Sequence, residues 1–190
     1  MVNDITVVIP TIPPRSGRLA YLMATIGEQT LSPDAVSIAI DLERQGAGPT
    51  RTRALYGAQT EWVAFVDDDD SLLSHHLAVL RTTALDHDVD VVWPWFEVVG
   101  GTVPPSIEIN RGKQWDPAAP HMFPITTLVR TELAREVGGF SSPVHEDISG
   151  EDHPFFVALS DVGAKFWHVN EVTWRWHHNT GNTSGLPSRW

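Results

Sequence analysis

Short apolar runs alternate with amphipathic stretches through the first half of the chain. Ile5-Thr6-Val7-Val8-Ile9 is an unbroken strand-forming run, the pattern of a strand covered on both faces, and Pro10 is expected to end it. Leu19, Leu22, Met23 and Ile26 fall at i, i+3, i+4 and i+7, which predicts a helix packed by one face. Val36 to Ile40 reads as a second strand ending at Asp41, Thr50 to Ala58 as a short helix, and Trp62 to Val66 as a third strand. Ser74 to Leu85 is helical, with Leu77, Leu80 and Ala84 inward, and Val89 to Trp93 is a fourth strand. This alternation predicts an α/β chain with a mostly parallel sheet flanked by helices. Ligands of such sheets bind beyond the carboxyl ends of the strands. Asp41 and the run Asp67-Asp68-Asp69-Asp70 both stand at such ends, so they are expected to converge.

The second half is less regular. Residues 94 to 120 are rich in proline and glycine and read as one long connection, a length that inside a compact domain usually carries function. Pro124 to Val129 looks like a strand, and Thr131 to Val137 like a short helix stopped by Gly138-Gly139. Glu151 to Val162 is helical, with Phe155, Phe156, Leu159 and Val162 inward. Lys165 to Val169 and Val172 to Trp176 are two short strands before a polar tail. Without repeats or a low-complexity linker, residues 1–190 read as one domain, with a nucleotide-binding half over 1–93 and an acceptor and catalytic half over 94–190.

The acidic run changes this picture most. Carboxylates about 5 Å apart repel by roughly 1 kcal/mol in water and up to about 3 at an effective dielectric of 20. Gathering four of them at one strand end is hard to explain by structure alone. A divalent cation converts the repulsion into coordination, because hard cations take oxygen ligands. The structural alternative is a solvated turn in which Asp70 or Ser71 caps the next helix.

Composition narrows the remaining classes. The chain of 190 residues has a net charge of −11, 42% hydrophobic residues and no cysteine. Disulfides, thiolate metal sites and cysteine nucleophiles are therefore excluded. The acidic balance opposes non-specific adhesion to nucleic acid or anionic membranes. No apolar run reaches the length of a membrane span and no signal pattern opens the chain, so the expected address is cytoplasmic.

Taken in order, the motifs resemble those of family 2 glycosyltransferases with the A-type (GT-A) nucleotide-sugar fold. Ile5-Thr6-Val7-Val8-Ile9-Pro10-Thr11 is similar to the opening strand of that family, and Glu28-Gln29-Thr30 to the end of its first helix. The second strand ends in an acid, here Asp41. Gly48-Pro49-Thr50-Arg51-Thr52-Arg53-Ala54 resembles the family segment whose arginine precedes an asparagine, with Ala54 in the asparagine's place. Phe65-Val66-Asp67-Asp68-Asp69-Asp70 matches the Asp-x-Asp-Asp signature. Gly138-Gly139-Phe140 followed by Glu151-Asp152 matches a later pair, and Arg175-x-His177 a terminal element.

The resemblance implies a metal-dependent transfer of a sugar from a nucleotide-diphosphate sugar, a UDP-sugar being favoured, to an unidentified acceptor hydroxyl. It implies Asp69, Asp67 and His177 as ligands for Mn²⁺ or Mg²⁺. Pro10, Thr11, Asp41, Arg53, Asp67 and Asp68 would bind the nucleotide. Asp152, with Glu151 beside it, would be the general base of an inverting reaction. Several of these residues also have plain structural readings. Asp41 reads equally as an ordinary strand-end acid. Ser149 with Asp152 fits a capping pattern, and Glu146 and Asp147 stand near as further acids. His177 and His178 alternate along a strand, so only one of them can enter a site. Asn179 to Ser184 has the polar, glycine-containing character of a lid. Trp93, Trp95 and Trp115 offer flat faces for a sugar, with core burial as the alternative.

Two other classes fit parts of the pattern. An apolar strand followed by Asp67-x-Asp69 also resembles the nucleophile motif of haloacid-dehalogenase-like phosphohydrolases. That family places its motif on an early strand, however, and only Lys113 and Lys165 are present to serve as its lysine. The third class is a non-catalytic module that binds a sugar nucleotide.

Overall fold

A computed structural model describes residues 4–101, 108–118, 125–141 and 152–177. The chain runs β1 (Ile5–Thr11), a 3-10 turn (Pro13–Arg15), α1 (Ser16–Gly27), β2 (Ala35–Ile40), α2 (Ala47–Gly57) and β3 (Trp62–Phe65). It continues through β4 (Ser71–Leu72), α3 (His76–His87), β5 (Val91–Val99), β6 (Thr127–Arg130) and α4 (Thr131–Glu136). A second 3-10 turn (Gly139–Ser141), α5 (Asp152–Asp161) and β7 (Phe166–His177) complete it.

The strands form one sheet in the order β2-β1-β3-β6-β5-β7-β4. β1, β2, β3, β5 and β7 run in one direction, and β6 and β4 are reversed. The sheet is therefore mostly parallel, as the alternation of elements predicts. Its two faces are buried against different helices. Ile5, Val7 and Ile9 point to a layer with Leu22, Leu77 and Leu80 of α1 and α3. Val8 points the other way, to Leu55 of α2 and to Phe155, Phe156 and Leu159 of α5. Each fully buried aliphatic side chain of these layers contributes about 1.5–3 kcal/mol.

Several boundaries differ from the sequence reading. β1 passes through Pro10 to Thr11, because β3 ends at Phe65 opposite Val8 and leaves one side of Pro10 without a ladder partner. α2 starts at Ala47, with Pro49 in its first turn, where a missing N–H costs nothing. β5 runs on through Pro94 to Val99, and the pairing with β7 slips at Pro94/Trp95 and again at Trp95/Phe96. The two short strands expected near the C-terminus are accordingly one strand, β7, carrying that irregularity. Val162 lies just past α5 and is 44% exposed rather than inward.

Candidate functional site

The carboxyl ends of the parallel strands meet the acidic run, and hydrogen bonds tie them into a row. Asp41 N–H donates to the Thr11 carbonyl at 2.8 Å, and Thr11 Oγ1 donates to Asp68 Oδ2 at 2.6 Å. Asp41, Thr11 and the run thus share one sheet edge, as expected. Asp41 is buried, and its two oxygens accept the backbone N–H groups of Gln45 at 3.0 Å and Gly46 at 2.7 Å, which shapes the turn into α2.

Within the run the four carboxylates part. Asp70 N–H donates to the Asp67 carbonyl, which makes the run a tight turn. Asp68 points inward and is held by Thr11 and by Arg15 Nη1 at 2.8 Å. Asp69 accepts from Arg15 at 3.2 Å and from Arg18 at 3.3 Å. Asp70 is buried and accepts the His177 N–H at 3.2 Å. Neither Asp70 nor Ser71 caps a helix: Ser71 opens β4, and α3 begins only at His76 with no side-chain cap. The capping alternative for the run is thereby overturned.

Crowding shows in the protonation of these groups. Burial, with Asp67 alongside, lifts the Asp69 carboxyl to about 6. Complete burial beside Asp67 and Asp69 pushes Asp70 well above the usual carboxylate range. Burial also raises Asp68, and the bonds from Thr11 and Arg15 oppose it. One oxygen from each of Asp67, Asp69 and Asp70 lies within 4.8 Å of the others, an all-oxygen set suited to a hard divalent cation.

β4 pairs antiparallel with the end of β7, Ser71 opposite Arg175, and this brings His177 to the run. His177 Nε2 lies 2.8 Å from Ser71 Oγ, and its ring meets Tyr21 edge-on. Burial, then Arg175 and Arg18, lowers its pKa, which favours the neutral imidazole. Gly17, Arg18, Tyr21, Asp69 and His177 line an open cleft of about 330 Å³.

The arginine that enters the acidic centre is Arg51, not Arg53. The buried side of α2 carries Gly48, Arg51, Ala54 and Leu55, and Arg53 falls off that face. Arg51 is 3% exposed and donates from Nη2 to Asp67 at 2.6 Å and from Nη1 to Asp152 at 3.0 Å. Its Cζ lies 5.4 Å from the centre of the Phe140 ring. Arg53 instead leans toward Gln45, Thr50 and the Ile40 carbonyl, with Asp41 at 3.9 Å.

Gly138-Gly139-Phe140 supports this arrangement from below. Gly138 and Gly139 have φ of 79° and 65°, and a Cβ on Gly139 would stand 2.8 Å from Thr52 Oγ1. That approach lets Phe140 N–H donate to Thr52 at 3.0 Å. The Phe140 ring then stacks on Phe155 at 4.1 Å beneath Arg51. Asp152 opens α5 and faces Arg51, whereas Glu151, Glu146, Asp147, Ser149, His178 and the Asn179 to Ser184 stretch lie outside the described residues. Trp93 and Trp95 are core residues, each 2% exposed, and Trp115 stacks on Phe166 at 4.8 Å.

Arg15, Arg18 and Tyr21 stand at the turn or the cleft and are passed over by motif reading, whereas Arg51 lies within the Gly48 to Ala54 motif, where the resemblance favours Arg53. Arg15 and Arg18 had a readable signal. They stand three apart behind Pro13-Pro14, immediately after the end of the first strand.

A sheet whose acidic turn sits at its carboxyl edge, braced by arginines and followed by a C-terminal histidine, is the architecture of GT-A glycosyltransferases. Residues 32–137 match glycosyl transferase family 2, and the chain belongs to that family. The phosphohydrolase alternative is thereby set aside. No curated protein matches the chain. Among solved structures, residues 1–349 of S. aureus TarS in complex with UDP-GlcNAc superpose with a TM-score of 0.76 at 17% identity, over 96% of this chain and 61% of that one. The mannosyltransferase PcManGT from Pyrobaculum calidifontis, in complex with GDP-Man and Mn²⁺, gives 0.68 at 18% identity, over 91% and 56%. The chain thus spans about three fifths of the length of these structures. Among the described residues, no helix is long and apolar enough to cross a membrane.

Proposed function

We propose that the chain transfers a sugar from a nucleotide-diphosphate sugar to an acceptor hydroxyl, with inversion at the anomeric carbon. The observation that carries this reading is the Arg51 fork, which holds Asp67 and Asp152 on one guanidinium at 2.6 and 3.0 Å. It sets an acid of the donor site and a candidate base of the acceptor site at a fixed separation. The S. aureus and P. calidifontis structures, with UDP-GlcNAc and GDP-Man, support a nucleotide-sugar donor. A UDP-sugar is the donor we favour.

Each residue has a part in the proposed reaction. Asp41, Pro10, Thr11 and Arg53 form the nucleoside end, with Asp41 also fixing the turn into α2. Asp67, Asp69 and Asp70 would hold Mn²⁺ or Mg²⁺, which supplies Lewis-acid stabilisation of the departing diphosphate when bound. Asp68 acts through Thr11 and Arg15 to keep the turn in place. His177 stands where it can meet the diphosphate or the ion once it exchanges its bond to Ser71. Asp152 takes the proton of the acceptor hydroxyl as that oxygen attacks the anomeric carbon and the bond to the diphosphate oxygen breaks. Arg51 keeps the base oriented through its charge-assisted hydrogen bond. Glu151 is the neighbouring acid that would share this role.

Calorimetric titration of UDP and GDP, each with Mn²⁺, followed by a donor-turnover assay with UDP-GlcNAc and GDP-Man, tests the reading. Tight nucleotide binding that needs a divalent cation, with slow release of nucleotide from one donor, is the expected result. Nucleotide binding without turnover of any sugar donor in the presence of acceptor mixtures would instead favour the non-catalytic module.

A further inference from the structure

Two guanidinium groups occupy the metal-facing side of the acidic turn. Arg15 Nη1 lies 2.8 Å from Asp68 Oδ1 and 3.2 Å from Asp69 Oδ2. Arg18 Nη1 reaches the same Asp69 oxygen at 3.3 Å. Asp69 is at once a member of the three-carboxylate set and a wall of the cleft that Arg18 and His177 share. A carboxylate that a cation would take is therefore already held by two positive charges. With Arg51 shared between Asp67 and Asp152, three guanidiniums stand among the four carboxylates of the run and Asp152.

We propose that Arg15 and Arg18 are resident counter-ions that a divalent cation must displace from Asp69, making binding of cation and nucleotide diphosphate cooperative. This rests on the nucleotide-sugar reading of the site. A cation entering among the carboxylates is the largest local charge and repels both guanidiniums. Arg18, turned away from Asp69, then meets a diphosphate as its new partner. Arg18 is 38% exposed, on the first turns of α1, and can turn into the cleft toward that anion. Arg15 is more enclosed, at 15% exposure, and keeps its bond to Asp68. Each ligand thus lowers the cost of binding the other, and the coupling is reciprocal by linkage.

The test is calorimetry of MnCl₂ binding to the full chain, with and without UDP, for the wild type, Arg18→Gln and Arg18→Lys. In the wild type, UDP should tighten Mn²⁺ binding at least tenfold. Arg18→Gln removes one repelling charge from the carboxylate the ion would take, so Mn²⁺ alone should bind about tenfold tighter. The enhancement by UDP should shrink in that variant, and Arg18→Lys should restore it. If Arg18→Gln binds Mn²⁺ alone no tighter than the wild type while Mn²⁺–UDP binding persists, the counter-ion role is wrong and the metal site stands. If no variant binds Mn²⁺ even with UDP, the metal site falls and the counter-ion role with it. Arg15→Gln provides a second, independent variant should Arg18→Gln fold poorly.

Discussion

Arg51 and Asp152 are 101 positions apart in the chain, yet Nη1 of one lies 3.0 Å from Oδ1 of the other. Because the same guanidinium holds Asp67, α2, the acidic turn and α5 meet at one planar group. Arg51→Lys keeps the charge and loses the fork. It should cost about 1–3 kcal/mol of stability in urea denaturation, the range for charge-assisted hydrogen bonds, and transfer should fall by more than binding does. Equal loss of both would show that Arg51 serves only the donor.

Asp152→Asn separates a base from a helix-start acid. The amide keeps the size and can still accept from Arg51, so thermal unfolding should shift by about 1 kcal/mol or less. Nucleotide affinity should stay within twofold, and transfer should fall about 10²–10⁴-fold. Normal specific activity in the folded variant would leave Asp152 a structural acid.

Asp69→Ala removes the carboxylate that faces the cleft. Metal-dependent nucleotide binding should vanish from calorimetric titrations while the far-ultraviolet spectrum is unchanged. The variant also strips two arginines of a partner, but both retain exposure, at 15% and 38%. An unaltered UDP–Mn²⁺ affinity would remove Asp69 from the ligand set.

Gly139→Ala probes the support under Arg51. Its φ of 65° disfavours a side chain, and the added Cβ would meet Thr52 at 2.8 Å. A loss of about 1–3 kcal/mol is expected from backbone strain and contact together, read from the midpoint of denaturation. A variant as stable as the wild type would show that α2 and the turn can separate without cost.

His76 sets a stability that depends on pH. It is fully buried against Thr173, and burial lowers its pKa from 6.5 to about 3. The folded chain keeps it neutral where the unfolded chain binds a proton, so this contribution is present above about pH 6.5. It declines as pH falls from there toward about 3, by up to about 1.4 kcal/mol per pH unit. The raised carboxyls of Asp69 and Asp70 act in the opposite sense, so the measurement is the difference in slope between wild type and His76→Gln. Parallel slopes would remove His76 as the source.

The parallel strands and their helices were legible because cover on both faces leaves an unbroken apolar run, as in Ile5 to Ile9, and one-sided packing leaves a helical period, as in Leu19 to Ile26. The acidic turn was legible because four like charges in a row have no easy structural use. Residues whose roles depend on distant partners were not. Choosing Arg51 over Arg53 needs the start of α2, which Pro49 obscures. Pro94 suggested a stop where a slip in pairing accommodates it, and β4, only two residues long, exists because β7 reaches back to pair with it.

That slip in β7 has a wider meaning for how the chain tolerates change. Between Pro94 and Phe96 of β5, the partner strand advances from Val169 to Trp174, so the slack sits at residues 170–173. Asn170 and Glu171 there are exposed, and their side chains read as freely replaceable. Their number is not. Side chains alternate along a strand, so gaining one residue turns His177 away from Ser71 and carries Trp176 into its place. Length at this exposed stretch is therefore under the same constraint as chemistry at the cleft.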